Sequence, residues 1–339
     1  MSNPLTTHPE NWIQHAIGAC IGAAVGDALG APFEFRPAGL YRQTFPTPVL
    51  TGRGEMQGGG GWEPGECTDD TQMAIALTES LIVHQGFDAD DIWARWRTWA
   101  TTASDVGNIT RAALSRPHVQ GAARYAHERF GGQTAGNGTI MRNSPIALVG
   151  LAMPINDMRN LAVNQSALTH FDPDCGWAAA IHATMIRAGI NGDDMFAAID
   201  DTIDWLPSSA QDRWRALLRP DWTPVDGTFG NGTVWTCLAQ AVWALRTTTS
   251  FADAVVSAID LGDDADTVGC VAGSLAGARW GTDSIPARWT AHLTCHLTTP
   301  DGEKQFTAAD LHDIACQLIG ESPLPRTLDE PLITPEPTS

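Results

Sequence analysis

Apolar and small residues recur at helical spacing through most of the chain. Residues 11–29 read as a helix that carries Gly18, Gly22 and Gly26 four residues apart. Each interior glycine costs a helix roughly 1 kcal/mol relative to alanine, so the spacing predicts a face on which another backbone packs very closely. Membrane helix dimers use the same spacing, but Gln14, His15 and Asp27 interrupt the apolar stretch. Further helical patterns fall at about 72–85, 88–102 and 108–115, then at 174–190, 193–205, 209–219, 252–261, 266–279, 287–296 and 307–319. Another helical run spans Trp235 to Leu245, and the stripe Trp93, Trp96 and Trp99 reads as core. No run of alternating β-branched residues stands out. The pattern therefore predicts an all-α fold in one compact domain over residues 11–320, with a flexible N-terminus at 1–10 and a Pro-rich, disordered tail at 321–339.

Composition narrows the picture. With 339 residues, 43% of them hydrophobic, the chain can bury a full core. Its formal charge of -19 comes without any Lys/Arg-rich block, which argues against unmodified nucleic acid as a partner. A modified nucleic acid as substrate stays open. Seven scattered cysteines with no CxxC read as reduced thiols of a cytoplasmic protein. The N-terminus has no signal-peptide pattern, and no stretch reads as the ~20 apolar residues of a membrane span. The oligomeric state stays open, with a monomer preferred.

Candidate chemistry begins with two acidic clusters. Thr68-Asp69-Asp70-Thr71 and Gly262-Asp263-Asp264-Ala265-Asp266-Thr267 each place carboxylates and hydroxyls just before a helical run. Asp and Thr are good N-caps, and first-turn carboxylates suit the helix dipole. That role uses one residue of each cluster and leaves the others over. Carboxylate and hydroxyl oxygens are what hard divalent cations prefer, so the pair of clusters points to a magnesium or manganese site.

Other segments carry weaker signals. Asp27 and Glu34 frame a Gly/Pro turn, and residues 52–67 form a glycine-rich loop, Gly58 to Gly61 at its centre, that reads as a lid or a close-packed wall. Asp105 reads as an N-cap or an active-site acid. Gly136-Asn137-Gly138-Thr139-Ile140-Met141-Arg142 is a glycine turn whose amides suit an anion, and Gly230-Asn231-Gly232-Thr233 repeats it before a second helix. His170 follows Thr169 at a helix end, where a histidine most often packs rather than catalyses.

Taken in order, these motifs resemble the ADP-ribosylhydrolases related to dinitrogenase reductase-activating glycohydrolase. The matching residues are Gly22 to Gly30 with Glu34, Pro64 to Met73, Asp105 to Asn108, Gly136 to Arg142, Thr169-His170, and Gly262 to Val268 with Ala272-Gly273. The resemblance implies an orthogonal helical bundle with a central two-magnesium centre, manganese being the other candidate ion. It implies metal ligation by Thr68, Asp69, Asp70, Asp264, Asp266 and Thr267, with Glu34 and Asp105 as acid/base groups beside Asp69 and Asp70. It implies that Asn108 lies near the scissile bond, that Gly136, Asn137, Gly138, Thr139, Ile140 and Met141 line a diphosphate, and that His170 touches ADP-ribose. The implied substrate is an ADP-ribosylated protein, with arginine linkage preferred because an ionised Asp105 suits a guanidinium, and the product is free ADP-ribose. Another linkage, or a non-enzymatic binding role on the same fold, are the alternatives. One departure from the family is Gly232-Thr233-Val234, where an aromatic residue often stands.

Overall fold

The computed structural model describes residues 8–320; the expected tail at 321–339 and residues 1–7 of the expected flexible N-terminus lie outside them. The chain folds as one helical domain. Its elements are α1 (Trp12–Gly30), α2 (Leu40–Thr44), α3 (Asp69–His84), α4 (Ala89–Trp99), α5 (Asn108–Leu114), α6 (Ala122–Arg129), α7 (Ser144–Val149), α8 (Ile155–Ala167) and α9 (Pro173–Asn191). They continue with α10 (Ala197–Trp205), α11 (Ser208–Leu218), α12 (Val234–Thr247), α13 (Phe251–Ile259), α14 (Ala265–Trp280) and α15 (Ala287–Thr290), then a hairpin of β1 (Thr294–Thr299) and β2 (Gly302–Thr307), and α16 (Ala308–Gly320).

The central contact is α1 on α14. A Cβ added at Gly18, Gly22 or Gly26 would lie 2.6, 2.3 or 1.9 Å from the carbonyl oxygen of Gly277, Gly273 or Gly269 respectively. The glycine spacing on α1 is therefore matched by the same spacing on α14, and the two backbones touch. Nothing larger than glycine fits between them. This contact sets the C-terminal end of α1 against the N-terminal end of α14, where a Cβ on Gly30 would reach within 2.4 Å of Asp266 Cα.

Two sequence expectations need correction. Residues 287–296 are not one helix: α15 stops at Thr290, and Thr294–Thr299 pairs antiparallel with Gly302–Thr307 across a two-residue turn. Cys295 and Leu297 face the core while His296 is exposed, so the alternation is present but short. The helix at 12–33 is also long and apolar enough, by length and composition, to cross a membrane, contrary to the sequence reading. Its apolar window is 89% buried inside the protein, and α14 occupies its glycine face.

Trp93, Trp96 and Trp99 are core, as the stripe implied. Trp96 Nε1 donates to Met73 O at 3.1 Å and Trp99 Nε1 to Gln72 Oε1 at 2.6 Å, which fastens α4 to α3 behind the acidic cluster. None of the seven cysteines is disulfide-bonded.

Candidate metal centre and ligand cleft

Each acidic cluster sits where a helix begins. Thr68 is the N-cap of α3, its side chain accepting from Asp70 N at 3.4 Å, so capping accounts for that threonine. It does not account for Asp69 and Asp70, whose carboxylates are buried in the first turn. Asp264 occupies the N-cap position of α14 yet its side chain caps nothing. Instead Asp264 Oδ2 accepts from Asn137 Nδ2 at 2.9 Å, and its amide donates to Asn231 Oδ1 at 3.0 Å. The carboxylate is thus tied to the Gly136–Gly138 turn instead of serving as a cap.

Three carboxylates converge there from three parts of the chain. Ligand oxygens of Glu34, Asp105 and Asp266 all lie within 4.8 Å of one another. Asp70 Oδ2 receives the hydroxyls of Thr68 and Thr267, each at 3.4 Å, which ties the start of α3 to the start of α14. Asp70 Oδ1 is buried with no hydrogen-bond partner. Gly107 N reaches Asp69 Oδ2 at 3.4 Å, so the loop carrying Asp105 closes on the same centre.

So many carboxylates cannot all ionise cheaply. Burial, then Asp105 and Asp27, push Asp69 well above the usual carboxylate range. Burial, then Asp27 and Asp69, do the same to Asp70, and burial, then Asp264 and Asp70, to Asp266. Glu34 is raised to about 7 by burial and by the charges of Asp105 and Asp264. Asp105 and Asp264 also move up, chiefly through burial. No Lys or Arg side chain is ion-paired to any member of this cluster among the described residues. An oxygen-only donor set, self-repelling and holding one orphaned buried oxygen, fits a hard divalent cation.

The supports of this centre were only partly read from the sequence. Asp27, fully buried on α1, accepts Thr68 N at 3.0 Å, Thr71 N at 3.1 Å and Thr71 Oγ1 at 2.5 Å. It holds the α3 N-terminus in place, and burial raises it to about 6. Asn231, from the second Gly-Asn-Gly turn, donates to Gly262 O at 2.9 Å and accepts Asp264 N. The repeat of the turn in the sequence was the signal for it. Phe35 and Asp263 pair through Phe35 N to Asp263 O at 2.6 Å, and both take left-handed backbone at φ 56° and 55°. That pairing turns the chain so that Glu34 faces the cluster while Phe35 stands 74% exposed at its rim.

The remaining predicted residues form a cleft beside the centre. Gly136 pairs with Thr233, and Asn137 N donates to Gly232 O at 3.2 Å, so the two Gly-Asn-Gly turns lie side by side. His170 packs on the first turn, its ring 3.2 Å from where a Cβ on Gly136 or Gly138 would stand. Ile140 and Met141 send their side chains into the core, and Thr139 Oγ1 donates to Cys175 O at 3.3 Å. Thr139, Ile140 and Met141 therefore have only backbone groups to offer a ligand. Asn108 is exposed at the start of α5. The Gly58–Gly61 stretch takes positive φ at all four glycines and packs beside Ala31 and Pro32, forming a wall next to Glu34.

Comparison with known proteins shows what the chain as a whole is similar to. The sequence profile of the ADP-ribosylglycohydrolases matches residues 8–324. The ADP-ribosyl-[dinitrogen reductase] glycohydrolase of Rhodospirillum rubrum is 33% identical over 287 residues, covering 82% of this chain and 90% of that one. The ADP-ribosylarginine hydrolase Tri1 of Serratia proteamaculans is 30% identical over 302 residues, covering 83% and 75% respectively. A solved ADP-ribosylglycohydrolase-related protein complex superposes with a TM-score of 0.65 at 30% identity, over 93% of this chain and 100% of the other.

Proposed function

Because the chain belongs to the ADP-ribosylglycohydrolase family and is therefore a hydrolase of glycosyl bonds, we propose that it frees ADP-ribose from an arginine side chain of a modified protein. The observation that carries this reading is the convergence of Glu34, Asp105 and Asp266 beside the start of α3. Thr68, Asp69, Asp70, Asp264, Asp266 and Thr267 are the residues that would hold two magnesium ions. When bound, the ions supply positive charge against the distal-ribose hydroxyls and the water that attacks the anomeric carbon.

The chain's own residues manage position and protons. Glu34, its carboxylate within 4.8 Å of those of Asp105 and Asp266, stands where a group that activates water or protonates the leaving nitrogen is needed. Asp105, across from it, offers a carboxylate to the guanidinium of the target. The C1–N bond breaks through an oxocarbenium-like state, and a water oxygen completes the ribose as the arginine leaves with its proton. Asp27, Asn137 and Asn231 fix the carboxylates and threonines around this point. The names of the Rhodospirillum and Serratia relatives support an ADP-ribosyl substrate, and the second supports arginine linkage.

The test is release of ADP-ribose, followed by mass spectrometry with and without magnesium, from matched arginine-, serine- and nucleobase-linked substrates. Magnesium-dependent release from the arginine substrate alone is expected. Release from a different substrate would overturn the linkage, and release independent of any divalent cation would overturn the metal assignment.

A further inference from the structure

The guanidinium of Arg142 is fully buried, and among the described residues no carboxylate lies in ion-pair contact with it. Its partners are neutral. Nε donates to Gln165 Oε1 at 3.1 Å, Nη2 to Gln165 O at 3.3 Å and to Thr169 Oγ1 at 2.8 Å, and the plane lies 4.0 Å from the Trp96 ring centroid. Burial lowers its pKa to about 9, which leaves it charged at neutral pH. A buried cation with no carboxylate in contact, Asp69 acting on it only from a distance, is costly, and its orientation fixes the hydrogens around it.

The next link follows from counting hydrogens. Thr169 Oγ1 lies 2.8 Å from His170 Nδ1, and Thr169 is fully buried. Arginine can only donate, so Thr169 Oγ1 accepts from Arg142. The hydroxyl proton then needs an acceptor, and among the described residues the one within reach is His170 Nδ1. An imidazole nitrogen that accepts carries no proton, so in the neutral ring the proton sits on Nε2. That nitrogen has no partner among the described residues, although His170 is only 3% exposed. It faces the glycine turn, 3.2 Å from the position of a Cβ on Gly136 and 3.5 Å from one on Gly138. Burial and the nearby Arg142 charge also drive the ring's pKa down to about 3, which agrees with a neutral imidazole.

We propose that Arg142 and Thr169 set His170 as the Nε2–H tautomer, holding a ready N–H donor over the Gly136–Gly138 turn for an anionic oxygen of the ligand. Resting on the function proposed above, that oxygen belongs to the diphosphate of the ADP-ribosyl group. Arg142 and Thr169 are positioning residues in this account, since neither reaches the ligand itself.

The test reads the tautomer directly. In 15N-labelled protein without ligand, two-bond 1H–15N correlations of the His170 ring should show the Nε2–H pattern. Thr169→Val should give a mixture of tautomers and weaken ADP-ribose binding about tenfold by calorimetry, and Thr169→Ser should restore both. A wild-type ring protonated on Nδ1 would overturn the proposal, as would a Val variant with unchanged tautomer and affinity. Wild-type protein with the Nε2–H ring that binds no ADP-ribose would overturn the ligand and the proposed function while upholding the relay.

Discussion

Gly26→Ala tests whether the contact between α1 and α14 is what brings the two ends of the metal centre together. The added methyl carbon would stand 1.9 Å from Gly269 O, whereas ordinary contact begins at 3.4 Å, so the backbones must separate by 3.4 − 1.9 = 1.5 Å. Overpacking usually costs ~1–3 kcal/mol when side chains can give way. Here the obstacle is a carbonyl in a buried helix, which places the cost at ~3 kcal/mol or above. Alanine returns about 1 kcal/mol of helix propensity, leaving a net loss of at least ~2 kcal/mol. The same arithmetic gives 1.1 Å for Gly22 and 0.8 Å for Gly18, so the three variants should rank Gly26, Gly22, Gly18 from worst to mildest. Gly86→Ala, whose nearest neighbour would be 3.9 Å away, serves as the control. Urea unfolding gives the stabilities, and manganese calorimetry should show cation affinity falling in step, because Asp266 moves away from Glu34. A Gly26→Ala protein within ~1 kcal/mol of wild type, or a reversed order, would refute the reasoning.

The free carboxylates make a second prediction. Glu34 rises from 4.5 to about 7 and Asp27 from 3.8 to about 6, so the folded protein retains protons that the unfolded chain has lost. Stability of the chelator-treated protein should therefore fall as pH rises from 5 to 8, and a saturating divalent cation should reverse that slope in thermal melts. Asp70→Asn removes an ionisable group whose buried Oδ1 has no partner, so it should leave cation-free stability within ~1 kcal/mol or raise it while abolishing stabilisation by magnesium, as read by melting with and without the ion. Glu55, 4% exposed, accepts Trp289 Nε1 at 2.7 Å and Arg288 Nε at 2.9 Å, and its pKa is lowered. Its contribution is fully present above pH 4.5 and fades as pH falls through the lowered folded-state pKa, so Glu55→Ala should cost ~3 kcal/mol at pH 7 and progressively less as the urea titration is repeated in more acid buffer.

Much of this was legible because some residues are hard to explain locally. The glycine spacing on α1 weakens a helix, so it had to be repaid by a close neighbour, and Gly269, Gly273 and Gly277 are that neighbour. Asp69, Asp70, Asp264 and Asp266 exceeded what capping needs, and the excess is what converges. The hairpin was missed because β1 is six residues long and threonine-rich, and its stability comes from pairing with β2, not from its own pattern. Thr299-Pro300-Asp301-Gly302 was the turn signal that could have revealed it. The role of Asp27 was illegible for a different reason. Its partners are amides of Thr68 and Thr71, 41 and 44 residues away, and no spacing rule reports a backbone acceptor at that range.

The pairing of α1 with α14 also sets a timetable for biosynthesis. Glu34 must wait for Asp266, so no ribosome-bound chain shorter than about four-fifths of the sequence holds the complete centre. At roughly 5–20 residues per second, the intervening segment takes on the order of ten to fifty seconds to emerge. Through that interval the glycine face of α1, fitted for one backbone only, has no native mate. The nascent chain thus carries apolar α1 long before its match, which makes late translation the stage at which shielding by chaperones should matter most.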